Sequence, residues 1–452
     1  MRRWALAILL TAACLAAEEK EAPPPLGTPK PFALPSASTF TLKNGMKVTL
    51  AEYGSVPVVA VNARLAFGRI SEGADQVWLS NLLAELMKEG TATMTAEQVA
   101  KEAARMGGQL EVNAETDESS AGIEVLSEFT ADAVKLVADV IEHPKLPESE
   151  LERVRNNLLR QLTVELSTPQ AQANRAFAAS LYPDHPYGRL FPTESQLKGY
   201  KIEDVRRFYA DHAGAQATHL YVVGRFDPAV RKTIETVFEG WDSGPAVKRT
   251  PPDPAAKKNL VLLDRPGAVQ STLRLGLPIK ISPAHPDYIP LAVTNSLLGG
   301  AFTSRITNNI REQKGYTYSP FGQVVTRYRT AAWQESADVT TKFTADSVRE
   351  IEFEIGRLRK EPPDAKELKG IQNFMGGIFV LRNSSNQGII GQLAFVDLQG
   401  LTDNYLKTYV QRVNAVSRED VQRITETYLD PAKMTLVVVG DKAKIGDSLK
   451  AF

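Results

Sequence analysis

The chain reads as an α+β protein built from two homologous halves, each a mostly antiparallel sheet with helices packed on one face. Three observations predict this. First, segments recur in order: FTADAVKLV at 129–137 returns as FTADSVREI at 343–351, LYVVGRFD at 220–227 as LVVVGDKA at 436–443, and VTLAEYGSVP at 48–57 as VLLDRPGAVQ at 261–270. The offsets of 214, 216 and 213 residues are nearly one spacing, so the chain repeats itself. Second, β-branched runs come in pairs around helical stretches rather than in strict alternation, which favours α+β over a doubly wound parallel sheet. Third, 452 residues exceed one ordinary core, and the Pro-rich polar stretch SGPAVKRTPPDPAAKKN at 243–259 divides them. The expected domains are residues 38–245 and 246–452.

From the N-terminus, MRRWALAILLTAACLAA (1–17) has two arginines, a short apolar run and small residues, the pattern of a secretory signal. LTAAC resembles a bacterial lipoprotein signal, although Thr11 stands where an aliphatic residue is preferred. Two outcomes are open: lipidation at Cys14, or cleavage after Ala16 or Ala17, which leaves no cysteine. Either makes this a protein exported across an inner membrane, periplasmic or lipid-anchored. Residues 18–37 are Pro-rich and charged and read as an extended tether. GMKVTLAEY and VPVVAVNARLAFG alternate or run β-branched, as strands do. MTAEQVAKEAARMGG opens with Thr95 and Gln98 at capping-box spacing and stops at Gly107. VREIEFEIGRLRK places Val348, Ile351, Ile355 and Leu358 on one helical face. LYVVG and LVVVG are short buried strands late in each half, and each FTAD is a helix entry with an acid near the N-terminus.

Lys plus Arg and Asp plus Glu balance at 53 each, and no basic stripe interrupts the chain, which sets a nucleic-acid binder aside. The stretch SNLLAELMKEGT at 80–91 reads as an amphipathic helix running into Gly-Thr. The five histidines, at 143, 185, 212, 219 and 285, include no pair at helical i, i+3 or i, i+4 spacing. His185 reads as a turn residue, and His212 and His219 as hydrogen-bonding residues at a strand entry.

The two-repeat layout, LYPDHPYGR at 181–189, and HPDYIPLAVTNSLLGGAFTSRITNNIREQKGYTYSP at 285–320 resemble the pitrilysin/insulysin-type metallopeptidases, over roughly residues 38–450. The chain is most similar to the short two-domain members and to their non-catalytic subunits. Active members carry H-x-x-E-H on a helix, in which the histidines ligate Zn²⁺ and the glutamate deprotonates the metal-bound water. Aligned on that helix, Asn81 and Glu85 take the histidine positions and Ala84 takes that of the general base. The window for the distant third ligand falls near Arg160-Gln161, with Glu165 the closest carboxylate. Two carboxylates and an amide suit Zn²⁺ poorly, so the resemblance implies no metal on this chain.

The same resemblance implies that Arg311 and Tyr318 bind substrate, with Tyr316 as an understudy to Tyr318. In heterodimeric relatives, the inactive chain lends this pair to the zinc site of its partner. Gly299 and Gly300 precede the pair and fit either a helix end or a close backbone approach. The expectation is therefore a non-catalytic subunit of a secreted zinc peptidase, with zinc on a homologous partner and unfolded peptide as substrate. The alternative is a non-enzymatic scaffold, or a peptide-binding protein, on a peptidase-like shell.

Overall fold

The computed structural model describes residues 33–450 and residue 452. The expected signal segment, Cys14 and most of the tether lie outside the described residues.

In the first half six strands form one sheet: β1 (Ala37–Thr41), β2 (Lys47–Glu52), β3 (Val58–Leu65), β4 (Glu111–Ala114), β5 (Ser119–Leu126) and β6 (Thr218–Gly224), in the order β1-β2-β6-β3-β5-β4. The second half forms a sheet of five, β7 (Asn259–Asp264), β8 (Gln270–Ile279), β9 (Phe321–Arg327), β10 (Thr330–Thr340) and β11 (Thr435–Gly440), in the order β7-β11-β8-β10-β9. Setting β1 aside, the orders are the same. Each sheet has one parallel pair, β2 with β6 and β7 with β11, and is otherwise antiparallel. The register repeats once the first-strand match is moved by one residue from the sequence alignment: Val48 lies opposite Leu220, and Leu260, rather than Val261, lies opposite Leu436.

The helices of the first half include α1 (Leu79–Met87), α2 (Ala96–Arg105), α3 (Thr130–Glu142), α4 (Glu148–Ser167) and α5 (Pro169–Leu181). The first four pack on one sheet face, where Val59, Val61, Ala63 and Leu65 of β3 meet Leu83, Val134, Val137 and Leu162. Local sequence fixes their ends. Thr95 and Gln98 form the expected capping box on α2, and Gly107 ends that turn at φ +80°. Both FTAD segments start helices, and Thr130 and Thr344 each donate a hydroxyl hydrogen bond to the carbonyl three residues back. In the Thr344–Lys360 helix, Val348, Ile351, Ile355 and Leu358 are all buried, as the periodicity predicts.

The opposite face of each sheet is covered from the other half. Helix α5 lays Ala173, Phe177 and Leu181 against Ala332, Val437 and Val439 of the second sheet. Reciprocally, the Asn386–Gln399 helix sets Ile389, Ile390 and Ala394 on Ala51, Ala60, Tyr221 and Val223 of the first. This explains why β6 and β11 read as continuous apolar runs: they are buried on both faces. Each half's own helices lie on one face, as the sequence predicts, and the exchanged helix adds a layer on the other. Polar contacts fix the exchange. Gln170 of α5 donates to Asp338 at 3.0 Å, Asn174 accepts from Arg274 at 2.7 Å, and Lys47 of β2 reaches Asp397 at 2.9 Å.

Candidate functional site

Helix α1 is held at its N-terminus by a carboxylate. Glu72 is buried and accepts the backbone N–H groups of Trp78 and Ser80, at 3.0 and 2.9 Å, and the Ser80 hydroxyl. These donors lower its pKa, but burial outweighs them and pushes the carboxyl up to about 7. Trp78, the residue before the helix, takes the left-handed region at φ +69° and donates its indole N–H to the Leu190 carbonyl at 2.8 Å. Leu79, Leu82, Leu83 and Leu86 anchor the helix in the core.

The three family positions on this helix face different surroundings. Asn81 lines a cavity of about 390 Å³ that also borders Glu165 at the end of α4. Ala84 is 4% exposed and belongs to the helix core. Glu85 lies outside the cavity lining and pairs with Lys88 at 2.7 Å. The structure thus brings together Asn81 and Glu165, but not Glu85, and places no proton acceptor at position 84. Arg69 joins the cavity from the turn after β3. Gly68 makes that turn: a Cβ there would lie 2.6 Å from the Glu115 carbonyl oxygen. Arg69 donates to the Thr116 hydroxyl at 2.9 Å, while its Nε is buried without a partner, as is Asn81 Oδ1. Among the described residues, no group of three or more His, Cys, Asp or Glu is placed to hold a metal ion. An amide, a single carboxylate and a guanidinium do not fit Zn²⁺, because the guanidinium opposes a second cation in the same space.

In the second half, the segment around Gly299 and Gly300 is a tight approach inside the chain. The helical turn widens over Ser296–Gly300, and Ala301 N–H bonds the Ser296 carbonyl at 2.9 Å. A Cβ on Gly299 would lie 2.3 Å from Glu335 Oε2. That carboxyl is fully buried with both oxygens unpartnered, and burial holds its pKa far above the usual carboxylate range. Arg311 follows, on the Thr307–Gln313 turns. Its guanidinium lies 4.3 Å from the centre of the Phe302 ring and 5.1 Å from that of Tyr318. Both rings project into solvent, 68% and 79% exposed. Gly315, at φ +62°, turns the chain back between Arg311 and Tyr318. Tyr316 points the other way and stacks on Phe343 at 4.3 Å, so it does not stand beside Arg311 as a second Tyr318.

The model described as Insulinase (Peptidase family M16) matches residues 48–191, and that described as Peptidase M16 inactive domain matches residues 200–375. The chain belongs to the M16 peptidase (insulinase) family. Among its M16 relatives, an uncharacterized zinc protease, YmxG, of Bacillus subtilis is 23% identical over 86% of this chain and 96% of its own length. A non-peptidase homolog, YmxG, of Helicobacter pylori is 22% identical over 90% and 95%. A protease from Helicobacter pylori has a crystal structure that superposes with TM-score 0.84 at 18% identity, over 90% of this chain and all of that one. A peptidase M16 inactive domain from Pseudomonas fluorescens gives TM-score 0.80 at 22% identity, over 89% and 98%. These two structures establish the fold alone.

In this M16 chain the histidines are spread over separate structural tasks. His185 accepts the Tyr187 N–H and bonds the Thr250 carbonyl at 2.9 Å. His212 bonds the Phe208 carbonyl at 2.9 Å, and His285 accepts the Asp287 N–H at 3.1 Å. His143 lies 3.9 Å from Glu142 on the surface. His219 touches Thr49 at 2.8 Å and Asp397 at 3.2 Å, a hydroxyl–imidazole–carboxylate chain in which Thr49 is buried in the sheet. Thr49 is only 3% exposed, so these three side chains form a clasp between the halves rather than an accessible nucleophile. Arg69 is the residue that sequence reasoning missed. The available signal was a lone arginine directly after a strand-ending glycine, in the family's metal-bearing half.

Proposed function

We propose that this chain is the non-catalytic subunit of a heteromeric zinc peptidase, holding peptide for a homologous partner that carries the metal. The observation that carries the reading is a contrast between the halves. The metal helix has lost its chemistry at Asn81, Ala84 and Glu85, while Arg311 is kept between two exposed aromatic rings. A guanidinium offers several directed donors to a peptide carbonyl or to a developing oxyanion, and the Tyr318 phenol adds one more. Stacking on Phe302 and Tyr318 limits the arginine's rotamers before substrate arrives, which lowers the entropic cost of binding. Similarity along most of the chain to a relative called a non-peptidase homolog supports the same reading.

The zinc belongs, on this reading, to the partner's H-x-x-E-H helix. The partner is an exported homologue, and the N-terminal signal of this chain directs it to the same side of the membrane. Among the described residues no helix is long and apolar enough to cross a membrane.

The test is the complex itself. With the zinc-bearing partner, Arg311→Ala is expected to lower kcat/KM for peptide cleavage about 10²-fold, the scale for losing one oxyanion donor. Tyr318→Phe is expected to lower it less, with assembly by sedimentation unchanged in both. Unchanged turnover in both variants would leave a scaffold and remove the donated pair.

A further inference from the structure

We propose that the cavity beside α1 is a binding site for the C-terminal residue of a peptide, with Arg69 holding the carboxylate. This site belongs to the chain alone and does not depend on the paired-subunit reading.

The Arg69 guanidinium is half-buried and forms no ion pair within 4.0 Å among the described residues. Its Nε has no acceptor, and its one side-chain hydrogen bond goes to a neutral hydroxyl. Burial lowers its pKa, with Glu72 the largest opposing influence, but arginine stays charged in proteins. A desolvated guanidinium facing a cavity favours an anion, and its fork of donors matches a carboxylate.

The remaining lining selects among anions. Glu165 is the one carboxylate of the cavity, and Gln161 donates to it at 2.8 Å. A second negative charge nearby disfavours a dianion such as phosphate and tolerates a single carboxylate. Asn81 Oδ1 is a buried acceptor without a donor, so the ligand must bring an N–H as well as a carboxylate. An α-carboxylate with its adjacent N–H has both. Trp78 and Phe191, with ring centres 5.9 Å apart, give the cavity an apolar wall for a side chain. The volume of about 390 Å³ accommodates one or two residues. These groups fit a terminal residue such as leucine, with carboxylate on Arg69, amide N–H on Asn81 and side chain on the Trp78–Phe191 wall.

Calorimetry on the full chain tests this with N-acetyl-Ala-Ala-Leu as the free acid, its C-terminal amide, and free leucine. The acid is expected to bind and the amide to bind at least about tenfold more weakly, the scale of one charged hydrogen bond. Arg69→Met is expected to abolish the preference. Asn81→Asp, nearly isosteric, places a carboxylate in the same cavity and is expected to weaken the acid at least about tenfold while the thermal melt stays wild-type. Equal binding of acid and amide, no binding of either at millimolar concentration, or a preference surviving Arg69→Met would overturn the proposal. Free leucine binding as tightly as the peptide would make the site one for amino acids and overturn it equally.

Discussion

Asn81, Ala84 and Glu85 sit in surroundings that make their differences from a zinc motif hard to reverse. Glu85 is turned to Lys88, Ala84 is packed in the core, and Arg69 fills part of the cavity with positive charge. The variant combining Asn81→His, Ala84→Glu and Glu85→His is therefore expected to purify with well under one zinc per chain by mass spectrometry. Adding Arg69→Ser is expected to raise the uptake. Stoichiometric zinc in the first variant would show that the guanidinium does not oppose the metal. Ala84→Glu alone is expected to destabilise the fold by about 1–3 kcal/mol in urea melts, since it brings a carboxyl and extra volume into a packed position. Glu72 makes a pH prediction at the same scale. Its folded pKa of about 7 lies above the ordinary value of 4.5, so the native state holds the proton more tightly than the unfolded chain. The resulting stabilisation is complete below pH about 4.5 and is lost as pH rises through about 7, on the order of 3 kcal/mol. Glu118 and Glu142, also pushed up to about 7, act in the same direction. Urea midpoints should fall between pH 5 and 8, and Glu72→Gln should flatten the slope. A midpoint that rises over that range contradicts the assignment.

At the scale of elements, the exchanged helices decide how the halves behave. Phe177 of α5 buries its ring among strands of the other half, within 3.1 Å of where a Cβ on Gly276 would stand. Phe177→Ala is expected to cost about 3–5 kcal/mol. Because the helix is shared, both halves should unfold in one transition, read by near-ultraviolet circular dichroism and by hydrogen exchange resolved to each half. Exchange that opens one half while the other stays protected would show that the exchange of helices does not couple them. Much of this architecture was legible in the sequence. The repeat gave two like sheets, the Thr95 capping box gave α2, and the 348–358 periodicity gave a buried helix face. The exchange was not legible, because Phe177 and Ile390 look like ordinary core residues and no local pattern says which sheet a helix will cover. The apolar runs of β6 and β11 carried the only hint, as strands buried on both faces require a layer from elsewhere. At the cavity, Asn81 and Glu165 were visible through the family motif. Arg69 was not, because the motif does not mark the turn that delivers it.

For the whole molecule, residues Leu34–Phe452 form one compact unit, so the first-half cavity and the partly buried Arg311 between its two exposed rings are features of a single body. The cavity offers a single carboxylate, Glu165, beside the Arg69 charge, too little to hold a metal, and among the described residues Arg311 makes a close ion pair only with its neighbour Glu312, at 3.3 Å. A chain with this arrangement makes chemical sense beside a homologue that has the metal, and the most direct measurement follows from that. The protein should be purified from its native host, and zinc and peptidase activity measured on the chain alone and on whatever elutes with it. A non-catalytic subunit should be metal-free and inactive alone, co-elute with a zinc-loaded homologue and cleave peptides only in that complex. A chain that elutes alone, carries stoichiometric zinc and cleaves peptides would contradict that role.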